Sequence, residues 1–293
     1  MVSVSLLGII VIILILSFSY LIYFVTQNSA ERDIKNALIT QQTERQLETN
    51  KAISVHIASD LNYILSRLNL IADSRVIQEG QFSSNGTHSL LKKQFDLITL
   101  LTGRPDSIFV VNSEGIIKSQ ITNAQNGKLN SSLSFKNMVK NAQTGMPSVS
   151  TIYNKNDSPR ILLSYPAIKE GSNEFLGFIG ISLPTTVFEK YGNLYGVNSQ
   201  YLAVLDKNAT HLIHGNNALV GRNFFESYTQ NFTQHNTNLN DLINKVLHGQ
   251  SGHAIYTIAS GERITTGYAI NLSGKSLLFL FIITPTAPLY SQV

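Results

Sequence analysis

The feature that most restricts how this chain can fold is an internal duplication. DSIFVVNSEGIIKSQ (106–120) reads as a strand, a tight turn and a second strand. FKNMVKNAQTG (135–145) reads as a helix closed by Gly145. SVSTIYN (148–154), PRILLSYPAI (159–168) and FLGFIGISLP (175–184) read as three further strands. The same order then returns in SQYLAVLDKNATHLIHG (199–215), LINKVLHGQSG (242–252), HAIYTIAS (253–260), RITTGYAI (263–270) and SLLFLFIITP (276–285). Both halves end on a proline flanked by threonine, SLPTT (182–186) and ITPTA (283–287). Equivalent points lie roughly 93 to 104 residues apart, enough for one small domain each. A hairpin, a helix and a three-strand meander predict a five-stranded antiparallel sheet with helical segments on it, an α+β unit.

The N-terminus obeys a different rule. Residues 1–30 carry no charged side chain, and 4–25 are interrupted only by Ser5, Gly8, Ser17, Ser19 and tyrosines. At 1.5 Å per residue that run crosses the roughly 30 Å hydrocarbon core of a bilayer. Tyr20 and Tyr23 lie near one end, where aromatic rings favour the lipid interface. No Lys or Arg precedes the run, it is long, and no small-residue cleavage site follows. An uncleaved anchor over 1–29 fits better than a removed signal peptide. This segment explains part of a composition with 43% hydrophobic and only 14% charged residues. The rest of the deficit reflects surfaces rich in Asn, Gln, Ser and Thr. Cysteine is absent, which excludes disulfides, thiolate metal sites and a Cys nucleophile. A net charge of +4 without any basic run argues against nucleic-acid binding.

No Pro or Gly occurs over 30–79. Ile53, Ile57, Leu61, Ile64, Leu65, Leu68 and Ile71 recur at steps of three and four, the stripe of a helix packed on a domain. Upstream, Ile34, Ala37, Leu38 and Leu47 form a sparser stripe. The expectation is one helix of roughly 65–70 Å. Its polar lower half would be a solvated stalk or one side of a helical homodimer, with Thr43 and Glu44 exposed. A break at 49–51, giving two helices, is the alternative. Residues 79–89 read as a polar loop and 89–102 as a short helix.

The anchor, the long helix and the runs SLSFKNMVKNAQTGMPSVS (132–150), ILLSYPAI (161–168) and FLGFIGISL (175–183) together resemble the double Cache, PAS-like extracellular sensor domains of chemoreceptors and sensor kinases. The resemblance covers 30–293. It implies an α+β architecture in which a transmembrane helix continues into a long stalk helix (30–79), followed by two tandem PAS-like modules with antiparallel sheets. The membrane-distal module would be 80–190 and the membrane-proximal module 191–293. It further implies a single-pass cell-membrane protein, C-terminal domain extracytoplasmic, with a small-molecule ligand in the distal module and a role in signal transduction or chemotaxis. A cytoplasmic output region would follow a second membrane helix or belong to a separate signalling partner, and none lies in the sequence. A surface protein for adhesion or assembly, Cache-like in fold but without signalling output, is the alternative.

Catalytic motifs are missing. There is no P-loop and no G-x-S-x-G, and GQSGH (249–253) has the wrong spacing for a nucleophile elbow. His211 and His214 fall in a predicted strand, where positions i and i+3 point to opposite faces, so no metal site is expected. His248 and His253 flank a turn, and the acidic residues are scattered. The expectation is a non-enzyme without cofactor.

For a ligand, Arg160 and Ser164 share one face of a predicted strand, with Leu162 between them. Arg160 would pair with a carboxylate or similar anion, and a strand-edge salt bridge is the competing reading. Tyr153 on the preceding strand would close the pocket, and Phe135 at the helix start would line it. Tyr165, on the other face, should pack on the long helix. Amino-acid-binding members of the family carry an Arg and a Trp–Tyr pair before this helix and an Asp in the last distal strand. Here those positions read Ser132, Leu133, Ser134 and Phe135, then Ser182, and Tyr153 alone matches. That pattern points away from an amino acid, towards an uncharged or anionic small molecule or no ligand.

Overall fold

The structure is a computed structural model and describes residues 2–102, 105–123, 135–154, 157–197, 201–272 and 274–291. Helix α1 (Val2–Ala72) runs without interruption through residues 49–51. Nothing in its sequence favours a break, because it has no proline and its one glycine, Gly8, lies in the apolar run. Among the described residues, α1 is the one helix long and apolar enough to cross a membrane. Its side chains there are exposed, Leu16 at 64% and Tyr20 at 70%.

The helix ends seven residues before the predicted limit. Side chains take over its last carbonyls: Ser74 Oγ donates to Ile71 O (2.6 Å) and Gln78 Nε2 to Ala72 O (2.9 Å). One short turn, α2 (Arg75–Gln78), intervenes before α3 (Asn85–Thr102). The latter starts inside the expected loop because Ser84 Oγ accepts the Thr87 N–H (3.1 Å), capping the first turn.

Two sheets of identical topology follow. The first comprises β1 (Ser107–Asn112), β2 (Ile117–Thr122), β3 (Ser148–Asn154), β4 (Asp157–Ile168) and β5 (Phe175–Pro184), in the order β2-β1-β5-β4-β3. Helix α4 (Lys136–Ala142) lies between β2 and β3. A 3-10 turn (Thr185–Phe188) and α5 (Glu189–Leu194) lead to the second unit. That unit comprises β6 (Leu202–Asp206), β7 (His211–Ile213), β8 (Gly252–Ile258), β9 (Gly261–Leu272) and β10 (Lys275–Pro285), in the order β7-β6-β10-β9-β8. Helices α6 (Ser227–Phe232) and α7 (Thr237–Leu247) precede β8, and α8 (Ala287–Tyr290) follows β10. Every strand pair is antiparallel.

One face of each sheet packs on α1. Ile53, Ile57, Ile64 and Leu68 are fully buried in a single apolar layer with Ile161 and Ile179 of the first sheet and Val204 and Leu280 of the second. Burying each such side chain is worth about 1.5–3 kcal/mol. Tyr165 packs against this layer.

The lower half of α1 departs from expectation. Thr43, Gln46 and Asn50 are buried, not solvated, although Glu44 is exposed. Gln46 Nε2 donates to Ile282 O (2.5 Å) and Asn50 Nδ2 to Thr266 O (2.9 Å). A strand carbonyl retains a second lone pair after its ladder bond, so an amide side chain can lie against a sheet as acceptably as an apolar one. Polarity therefore misleads as a guide to burial here.

Candidate functional site

In the first module the side of the sheet turned away from α1 carries most of the candidate residues. Alternation along β4 puts Arg160, Leu162 and Ser164 there, opposite Pro184, Ser182 and Gly180 of β5. Three aromatic rings fill the space above. Centroids of Phe109 and Phe135 are 5.4 Å apart, and those of Phe178 lie 6.4 Å and 6.0 Å from the two. Glycine at 180 makes room, since a Cβ there would sit 2.4 Å from the Phe109 ring.

Arg160 Nε lies 3.3 Å from Asp106 Oδ2, and the carboxylate side chain is only 3% exposed. Ser164 Oγ shares a 2.7 Å hydrogen bond with Ser148 Oγ. Ser182 is fully buried, and its hydroxyl has no hydrogen-bond partner among the described residues. Phe135 is buried in the ring cluster. Tyr153 belongs to β3, but its side chain, like residues 132–134, lies outside the described residues. The structure thus gathers Phe135, Arg160, Ser164 and Ser182 on one face and commits Arg160 and Ser164 to protein partners.

The equivalent face of the second module is built differently. Arg263 pairs with Pro285 as Arg160 pairs with Pro184, so the two arginines are duplicates in register. Ile108 pairs with Ile181 as Leu202 pairs with Ile282, which makes Gln200 the sequence counterpart of Asp106. Arg263 Nη2 donates to Ser260 Oγ (2.8 Å), and among the described residues no carboxylate lies within salt-bridge distance of its guanidinium. A cavity of about 400 Å³ opens beside it, within the range of small-molecule sites. Its walls include Phe224, Phe281, Leu239 and Ile243, and its polar lining includes Arg263, His211, His214, Tyr256 and Thr229.

The two histidines meet, contrary to the strand-alternation argument. Strand β7 stops at Ile213, so His214 is free of the pleat and turns back towards His211, with ring centroids 5.1 Å apart. Both rings line the cavity. His214 Nδ1 accepts the Asn216 N–H (2.9 Å). His211 is 4% exposed, and neither ring nitrogen has a hydrogen-bond partner among the described residues. Burial, reinforced by His214, pulls the His211 pKa down to about 3. Burial and the Arg263 charge pull that of His214 down to about 4. Both imidazoles are therefore neutral at physiological pH. Among the described residues no group of three metal-ligating side chains exists. Sequence reasoning missed Arg263 as a site residue, although the duplication already aligned it with Arg160.

No family model matches the chain, and no curated protein matches it in sequence. Solved structures match in fold. The periplasmic sensory domain of the Campylobacter jejuni chemoreceptor Tlp1 aligns at 10% identity with a TM-score of 0.63, over 87% of this chain and 98% of that one. The ligand-binding domain of the Pseudomonas fluorescens chemoreceptor CtaA, solved in complex with L-isoleucine, aligns at 14% identity with a TM-score of 0.62, over 88% and 98%. The chain also covers 80% of its own length but only 40% of an extracellular ligand-binding receptor from Desulfohalobium retbaense, at 14% identity and a TM-score of 0.52. Two five-stranded modules of one topology, backed by one long helix, are the double Cache fold of extracellular sensor domains.

Proposed function

We propose that this chain is the membrane-anchored, extracytoplasmic sensory part of a signal-transduction receptor, non-enzymatic, and responsive to a small molecule held by one of its modules. The observation that carries this reading is the shared helix. Both sheets pack on α1, and α1 continues without a break into the apolar segment. A ligand that repacks either sheet against α1 therefore acts on the rod that enters the bilayer, as a small shift or rotation. A second copy docking along the exposed turns of α1 below Thr43 completes the proposal.

The test is a thermal-shift screen of the full chain in lipid nanodiscs over carboxylates, amines, purines and sugars. Because the sequence has no cysteine, Glu44→Cys gives one clean crosslinking site on α1. A compound that raises the melting temperature by mass action and changes the crosslinking yield supports the sensor. A screen without any hit favours the adhesion or assembly role.

A further inference from the structure

We infer that the second module holds the ligand, and that the ligand is a small carboxylic acid with an aromatic or branched apolar body and no amine, its carboxylate on Arg263. This deepens the sensory reading and rests on it. Three observations converge. The first is charge. The duplicate arginine of the first module is occupied by a buried carboxylate, whereas Arg263 lines a cavity with its Nε buried and without a partner among the described residues. A guanidinium facing a largely apolar cavity is best satisfied by an anion that brings its own apolar surface.

The second observation is two other polar side chains of the same lining. His211 is 96% buried with both ring nitrogens unpartnered, and Thr229, fully buried, has an unpartnered hydroxyl. Buried polar groups of native proteins are nearly always paired. A neutral imidazole and a hydroxyl offer a donor and an acceptor to a hydroxyl or carbonyl on the ligand body. The third is what is missing. Among the described lining residues there is no Asp or Glu. A protonated amine would be buried beside Arg263 without a counter-charge, which selects against amino acids and polyamines. The apolar body would lie against the Phe224 and Phe281 rings, which both line the cavity. Gly267 lets the Phe281 ring lie close on the sheet, since a Cβ there would sit 2.6 Å from that ring.

The experiment uses the full chain in nanodiscs, with benzoate, phenylacetate and 3-methylbutanoate as probes and benzamide and L-phenylalanine as counter-probes. The acids should raise the melting temperature in a dose-dependent way, and the counter-probes should not. Arg263→Gln should weaken acid binding by about 10–100-fold, the loss of a charge-assisted pair. Arg263→Lys, which keeps the charge, should retain part of it. Circular dichroism and the unliganded melting temperature verify that each variant is folded. If Arg263→Gln fails to fold, the Arg263→Lys affinity, with benzamide against benzoate, decides alone. Equal shifts from benzamide or L-phenylalanine, an unchanged response in a folded Arg263 variant, or no acid response at all overturn the inference. Crosslinking through Glu44→Cys separates the two claims. Acid binding through Arg263 that leaves the yield unchanged upholds this site and sinks the sensory reading. A yield changed only by a compound that ignores Arg263 does the reverse.

Discussion

Tyr191 donates its phenolic hydrogen to Asp60 Oδ2 at 2.7 Å, joining the connector between the modules to the middle of α1. Lys190 Nζ lies 3.1 Å from the same oxygen. Tyr191 is 2% exposed, and burial, the bond to Asp60 and its charge all raise the phenol pKa. The bond therefore persists throughout the physiological range. Tyr191→Phe should cost about 1 kcal/mol in chemical denaturation of the full chain, the usual value of one net hydrogen bond. A neutral result would show that the connector is not held to the helix through this contact.

Asn50 should matter more. It is fully buried and donates to the carbonyl of Thr266 on the sheet of the second module. Asn50→Ala leaves a small void and removes that donor, for an expected loss of about 1–3 kcal/mol. Glu44→Ala, one turn or more away on the exposed side, should change stability by less than about 0.5 kcal/mol. Denaturation midpoints of the two variants in the same detergent give the comparison directly.

Gly180 and Phe109 should behave as one unit. A methyl at 180 would sit within the Phe109 ring contact, so Gly180→Ala should destabilise by about 1–3 kcal/mol. Adding Phe109→Leu removes the ring and should return part of that loss. A double-mutant cycle with strictly additive effects would contradict the packing described here.

Acid should weaken the second module. The folded pKa of His211 is lowered to about 3 and that of His214 to about 4, against 6.5 for the free side chain. The unfolded chain binds the extra protons between those values. The contribution to stability is thus full above about pH 6.5 and falls away as pH drops towards 3–4. Each unit of that descent costs on the order of 1.4 kcal/mol per histidine. His211→Phe should flatten the stability profile between pH 6 and 4, whereas an unchanged slope would place the acid sensitivity elsewhere.

The fold was legible in the sequence because it rests on local, repeated signals. Period-2 strands, breakers at fixed offsets and a 3.6-period stripe from Ile53 to Ile71 are properties of a chain read in order, and the duplicated order implied two five-stranded antiparallel sheets, whereas the pairing of β1 with β5 and of β6 with β10 came only from the structure. The turn carrying Asp206 shows the same economy. Ala209 takes the left-handed conformation (φ 61°) that Gly115 supplies in the first module, while Asp206 Oδ1 holds the N–H groups of Asn208 and Thr210. Burial of Gln46 and Asn50 was not legible, since it depends on carbonyls more than 200 positions away.

The site divides in the same way. By itself the sequence placed Arg160 and Ser164 on one face of their strand, because strand alternation is a local rule, and its duplication aligned Arg263 with Arg160 without marking it as a site residue. Only the tertiary structure decided which arginine is occupied. Asp106 reaches Arg160 from another strand's entrance, while Arg263 faces a cavity shaped by Phe224, Phe281 and two histidines brought together where β7 ends. Partnership between charges is a matter of distance in space, and no spacing along the chain encodes it.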